Sequence, residues 1–238
     1  LRGDLTRAVS NIEEALYLSK RTGKIDQVDA TIYYAKSLVL TGSYSQVSNQ
    51  LKNIEILAQD LTLDKRTFGR LTRIMGWVAL AMKNYPEACF QFIQSIELFH
   101  LTTEHDQEAH SQAGLARAMI GRSNWEEAHH LLEEALSTAI EIQGYIPMVF
   151  ALPMTLLFLA EEDIKFTARV YKQVRCDPFM GKAQLFHDLV YKHLPEEITT
   201  VPVEMVEHNP EHREALWETT RLVLAKWKKE QEEPESKN

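Results

Sequence analysis

Apolar and small side chains recur along this chain at intervals of three and four residues, the period that lines one face of an α-helix. Five segments share one pattern: a bulky anchor, a short residue three positions on, a bulky residue at seven and a modest one at ten. They are Leu5/Ala8/Ile12/Ala15, Tyr44/Val47/Leu51/Ile54, Tyr85/Ala88/Phe92/Ser95, Trp125/Ala128/Leu132/Ala135 and Ile164/Thr167/Tyr171/Val174. Successive anchors stand 39, 41, 40 and 39 residues apart. Gly3-Asp4, Gly42-Ser43, Asn84 and Ser123-Asn124 precede four of them, and such residues end one helix and cap the next. Ten residues before the later anchors come Tyr34, Met75, Leu115 and Met154, each followed by a small or short residue: Ala35, Gly76, Ala116 and Thr155. The bulky member fills a core while its neighbour lets another helix come close. The pattern predicts a helical hairpin of about 40 residues, repeated, with helices near 16 residues each.

The stretch Asn84-Tyr85-Pro86-Glu87-Ala88 followed by Phe92 resembles the second half of a tetratricopeptide repeat. So do Asn124-Trp125-Glu126-Glu127-Ala128 with Leu132 and Ala135-Leu136, and Gly3-Asp4-Leu5 with Ala8, Ile12 and Ala15-Leu16. The resemblance covers residues 1–175. It implies an all-α fold, an antiparallel array of helical hairpins wound as a right-handed superhelix and closed by a C-terminal helical cap. The sequence departs from the family in its period, about 40 against the usual 34, and lacks the proline that often closes a repeat. Longer repeats of this kind resemble those in the sensor regions of large bacterial signalling ATPases and transcription regulators, such as maltose-regulator-like proteins.

Residues 3–19 correspond to the second helix of a hairpin whose first helix would lie before Leu1. The chain is therefore expected to be a fragment that starts in mid-repeat, with more repeats or another domain ahead of it. An uncovered terminal helix of this kind could also pair with a second copy as a homodimer. After residue 175 the repeat fades. Asp177-Pro178 breaks the chain, Phe179 to His193 is expected as a helix with Leu185, Phe186, Leu189 and Val190 inward, and Asn209-Pro210-Glu211 is a helix start. The helix from there to Lys228 carries Leu216, Thr220, Val223, Leu224 and Trp227 on one side, so residues 176–228 are expected to extend and cap the array. The charged residues 229–238 are expected to fray.

Composition changes this picture little. With 9 glycines and 8 prolines in 238 residues, long helices are favoured over many turns. A net charge of -8 argues against nucleic-acid binding by this chain alone. Cys89 and Cys176 form no disulfide framework or metal pattern, are expected as buried thiols, and fit a cytoplasmic, reducing compartment. No secretory leader opens the chain. The most apolar run, Tyr145 to Ala160, contains Pro147 and Pro153 and is read as a buried, kinked helix, too short to span a membrane.

The resemblance implies that the first helix of each hairpin lines a concave groove. Positions 15, 12 and 8 before each anchor then face it: Asp29, Ile32, Lys36; Arg70, Arg73, Trp77; His110, Ala113, Arg117; and Val149, Leu152, Leu156. Lys36, Arg70, Arg73, Trp77, His110 and Arg117 make up the candidate site, a basic groove on an acidic protein. Guanidinium forks suit carboxylate or phosphate. The expected ligand is a partner protein, an acidic peptide or a small anion. The outer helices are acidic instead, with Glu126, Glu127, Glu133, Glu134 and Glu141 on one of them.

The remaining histidines lack ligand spacing and are read as isolated surface residues; no cofactor or metal is implied. Tyr33, Tyr34 and Phe68 are read as core. No nucleophile elbow, phosphate loop or zinc motif is present, which argues against an enzyme. The expected function is a sensor or interaction domain of a larger signalling or transcription-regulatory protein. A plain adaptor without switching is the alternative.

Overall fold

The structure, a computed structural model, describes residues 4–58, 61–206 and 209–232. Nine antiparallel α-helices form the array: α1 (Leu5–Ser19), α2 (Lys24–Leu40), α3 (Tyr44–Ala58), α4 (Lys65–Ala81), α5 (Tyr85–Leu101), α6 (His105–Gly121), α7 (Trp125–Glu141), α8 (Tyr145–Glu162) and α9 (Ile164–Cys176). All five anchor residues are the first residues of their helices. Gly3 lies outside the described residues. Among the described residues there is no strand.

The turns repeat as faithfully as the helices. The N–H of Ser43, Asn84, Glu104, Asn124 and Gly144 each reaches back five residues, to the carbonyls of Leu38, Ala79, Phe99, Met119 and Ala139 at 2.8–3.0 Å. This closure needs a left-handed residue just past each helix. Gly42 takes that place once (φ 77°), but Lys83, Thr103, Ser123 and Gln143 hold it elsewhere, with φ between 50° and 62°. Asp4, Asp64, Asn84 and Asp163 cap the next helix through their side chains; Asn124 makes no such bond.

The stripes bury as the spacing predicts in the middle of the array: Ala88, Phe92, Ser95, Ala128, Leu132 and Ala135 are fully inaccessible. The short residues on the first helices make this possible. A Cβ on Gly76 would sit 2.9 Å from the Phe92 ring, and one on Gly114 only 2.3 Å from it. Helix α1 is different. Only Ser19 is buried there, and Tyr17 and Leu18 are exposed. Helix α8 is apolar and long enough to cross a membrane, yet 72% of it is buried inside the protein. Tyr33 and Phe68, expected in the core, are instead exposed, and Tyr34 is half-buried with its hydroxyl donating to Glu13.

Besides pairing along the chain, the first helices pack on each other, α2 on α4, α4 on α6 and α6 on α8. Beyond α9 the chain crosses this same face. The helix expected over 179–193 is only α10 (Gln184–Leu189) and a 3-10 turn at Tyr191–His193. A tight reversal replaces its start. Asp177 Oδ1 accepts from Phe179 N and Met180 N, both at 2.9 Å, and Arg175 donates to the Gly181 carbonyl at 2.5 Å. A Cβ on Gly181 would lie 2.2 Å from the Arg175 carbonyl oxygen, so only glycine fits. Helix α10 then packs on α2 and α4.

A short helix, α11 (Glu196–Thr199), lies on α9, and α12 (Pro210–Glu232) packs on α7 and α9, closing the second-helix layer. Asn209 Oδ1 accepts from His212 N at 2.8 Å, the expected cap, and Leu216, Thr220, Val223 and Trp227 are fully buried. Helix α12 outruns the expected end at Lys228; residues 233–238 lie outside the described residues. The buried side chains of the extension join one continuous core with those of the repeats.

Candidate functional site

Residues 177–194 form a strap across the first-helix face. Phe179, Leu185, Phe186 and Val190 are buried beneath it, with Phe179 and Phe186 edge-on to Phe150 of α8 at 5.9 and 5.6 Å. Polar contacts tie the middle of the strap to the array. The Tyr44 hydroxyl donates to Asp188 Oδ2 at 2.9 Å, and Arg117 Nε donates to the Leu189 carbonyl at 2.7 Å. Arg117 is thereby separated from the rest of the expected basic groove.

The other five candidate residues come together. Lys36, Arg70, Arg73, Trp77 and His110 line one cavity of about 110 Å³, with Ile32, Tyr33, Val39, Leu40, Ile74, Gln107, Phe150 and Leu185. Helices α2, α4, α6 and α8 supply all but Leu185, which the strap contributes. Exposed Tyr33 stands at the mouth, and its hydroxyl accepts from Arg70 at 3.1 Å. Arg70 is also paired with Asp29 Oδ1 at 3.1 Å and donates to Thr67 Oγ1. Arg73 is buried, donates to the carbonyl and Oε1 of Gln107 at 3.2 and 2.7 Å, and lies over the Phe99 ring. Gln107 in turn donates to Asp106, whose charge also acts on Arg73 without a direct ion pair. Lys36 Nζ sits 5.9 Å from the Phe150 ring centre and makes no hydrogen bond or ion pair with the described residues.

The three cations are thus crowded and under-compensated. Burial, then the charge of Arg73, lowers Lys36 to about 8, with Asp106 pulling the other way. Burial likewise lowers Arg73 to about 10, against the pull of Asp106, and the guanidinium stays charged at neutral pH. His110 is 1% exposed, and burial together with Arg73 and Lys36 holds it well below the usual histidine range, so it is neutral. Its ring is stacked on Phe150 at 3.7 Å and tilted toward Trp77. Neither His110 nitrogen has a hydrogen-bond partner among the described residues, and Trp77 Nε1 and Arg70 Nε have none either. Buried polar groups are normally paired, and leaving one unpaired costs roughly 1–3 kcal/mol. Four such atoms around one cavity set it apart from the rest of the core.

Sequence reasoning missed Phe150 and Gln107. Phe150 lies one position from Val149, within the row assigned to the groove, and an error of one residue in the facing position conceals it. Gln107 sits in the first turn of α6, outside the three sampled positions. Among the histidines, His212 is not a surface residue: it is buried and bonds Asp177 Oδ2 at 3.1 Å, as does the Tyr145 hydroxyl at 2.8 Å. His129 is half-buried against Trp227, whereas His100, His105, His130, His187 and His193 are exposed. His208 lies outside the described residues. No three His, Cys, Asp or Glu side chains gather as a metal site among the described residues, and both cysteines are free and buried.

The sequence profile of the tetratricopeptide repeat family matches residues 71–141, which span most of α4 and all of α5, α6 and α7. Residues 71–141 match tetratricopeptide repeats. Such repeats are typically non-catalytic and imply a protein-interaction scaffold. The crystal structure of BtubC (BKLC) from P. vanneervenii is similar over 99% of this chain and 94% of that one, with a TM-score of 0.52 and 10% identity. At that identity the likeness is one of fold. No curated protein matches the chain.

Proposed function

We propose that this tetratricopeptide repeat protein is a recognition scaffold that takes an anionic group, from a small ligand or an acidic side chain or terminus of a partner, into the cavity between α2, α4, α6 and α8. In this reading it serves as a cytoplasmic sensor module of a larger signalling or regulatory protein. The observation that carries it is the triad Lys36, Arg70 and Arg73 around a cavity whose walls hold unpaired buried nitrogens. Asp29 pairs with Arg70, but Arg73 and Lys36 make no ion pair with the described residues, and Asp106 offsets their charge only from a distance, so the cavity keeps an excess of positive charge. An incoming carboxylate or phosphate oxygen supplies the acceptors these donors lack. The strap already fills much of the first-helix face, so the ligand enters a compact cavity and does not lie along an open groove.

Titration of the protein with acetate, phosphate and a short peptide ending in two glutamates, followed by calorimetry, tests the proposal. At least one anion is expected to bind, more weakly as salt is raised, and Lys36→Met is expected to weaken it about tenfold or more. Absence of binding by every anion to the folded protein would sink the proposal.

A further inference from the structure

Resting on that reading, we infer that the ligand is a small hydroxylated carboxylic acid, its carboxylate held by Lys36 and Arg73, its hydroxyl donating to His110 and its carbon skeleton lying on Phe150. The inference comes from what the cavity offers and lacks. A neutral imidazole has one N–H and one bare nitrogen, a donor and an acceptor together. Both nitrogens of His110 are buried and unpartnered, so a complete ligand must accept one hydrogen bond there and donate another. A simple carboxylate or sulfate only accepts, and leaves the bare nitrogen facing no proton. Trp77 Nε1 adds a further buried donor without a partner.

The size and polarity of the cavity narrow the class further. A volume of about 110 Å³ holds several waters or a short organic acid, and is well below the several hundred Å³ that enclose a nucleotide or a drug-sized ligand. Ile32, Ile74, Trp77, Phe150 and Leu185 make much of the wall apolar. An inorganic oxyanion would keep that wall wet, whereas a two- or three-carbon chain covers it. Phosphate in its hydrogen form could meet His110 with its own hydroxyl, but it has nothing to place on Phe150.

The decisive experiment is a matched comparison. 2-Hydroxybutyrate, butyrate, phosphate and sulfate are titrated calorimetrically into the 238-residue protein. 2-Hydroxybutyrate is expected to bind about tenfold more tightly than butyrate, the effect of one otherwise unmet hydrogen bond. His110→Phe, which keeps a flat ring on Phe150, is expected to erase that difference while butyrate still binds. Imidazole ¹⁵N shifts of His110 in the unmodified protein give a readout that does not depend on the variant folding: one ring nitrogen should shift on adding 2-hydroxybutyrate and not on adding butyrate. Equal affinity for the two acids, or tighter binding of phosphate, overturns the hydroxy-acid inference and leaves the anion reading standing. Failure of all four to bind overturns both.

Discussion

Helices α1 and α7 carry the same anchor pattern and have different fates. In α7, Ala128, Leu132 and Ala135 are fully buried; in α1, Ala8 and Ala15 are exposed and Ile12 is half-buried. The reason is the neighbourhood. Helix α7 is enclosed by α6, α8 and α12, whereas α1 packs chiefly on α2 among the described residues. A stripe of apolar residues therefore specifies that a helix forms and which side turns inward, while the burial itself is supplied by flanking units, as in any stacked repeat.

Paired truncations put this contrast at risk most directly. Leu132→Ala should cost about 3–5 kcal/mol by urea unfolding, and Ile12→Ala less than about 1 kcal/mol. Equal costs would mean that α1 has cover it does not show. Next in size, Gly181→Ala should destabilise by at least about 2 kcal/mol, because the added methyl meets the backbone of Arg175 and Asp177. If it is neutral, the strap is dispensable and the centre of the array owes its burial to helices alone.

The junction of the strap with α12 makes a smaller, pH-dependent contribution. The hydrogen bonds to Asp177 and then Cys176 raise His212 to about 9 against the effect of burial. Burial opposes ionisation of Asp177, but bonds from His212, Met180, Tyr145 and Phe179 outweigh it and hold the carboxyl below its usual range. The raised His212 stabilises the fold fully below its unfolded value near 6.5, and loses that effect as pH rises through 9. The depressed Asp177 stabilises above its ordinary carboxylate value and loses the effect in acid. The pair therefore contributes most between about pH 4 and 6.5. His212→Gln should remove on the order of 2 kcal/mol at pH 6 and much less at pH 9.5. Lys36, with its lowered value of about 8, runs the other way: stability rises as it deprotonates above that pH. The difference between the variant and the unmodified protein, followed by chemical denaturation at each pH, isolates the pair. A difference that does not change with pH would assign His212 to packing alone. Smallest of all, Thr103→Gly should raise stability by about 1 kcal/mol, since a β-branched residue there holds φ at 56°. A lower melting temperature would show that the threonine side chain does more than tolerate the turn.

The array was legible because its signal is local. Tyr44, Tyr85, Trp125 and Ile164 come directly after turn or capping residues and open helices, a relation that spacing alone reveals. The five residues of the cavity were legible for a related reason: the same set of three offsets from the anchors places Lys36, Arg73 and His110 on neighbouring first helices. The strap was not. Leu185, Phe186, Leu189 and Val190 announce an inward side, but nothing in their spacing says which surface receives it. Arg117 illustrates the consequence, since a groove cation became a donor to Leu189, 72 residues away. Tyr33 misled because aromatic rings at helical spacing fit a core and a cavity mouth equally well.

The strap also changes how the whole chain can come apart. In an open solenoid each unit touches only the next, and ends can peel away one at a time. Here Tyr44 is tied to Asp188 across 144 positions, and α10 lies on both α2 and α4. Early and late segments are thereby clasped into one ring of dependence, so melting should be all-or-none from α2 onward, with α1 free to detach. During synthesis, α2 and α4 must wait for the far end of the chain before their inner faces are covered.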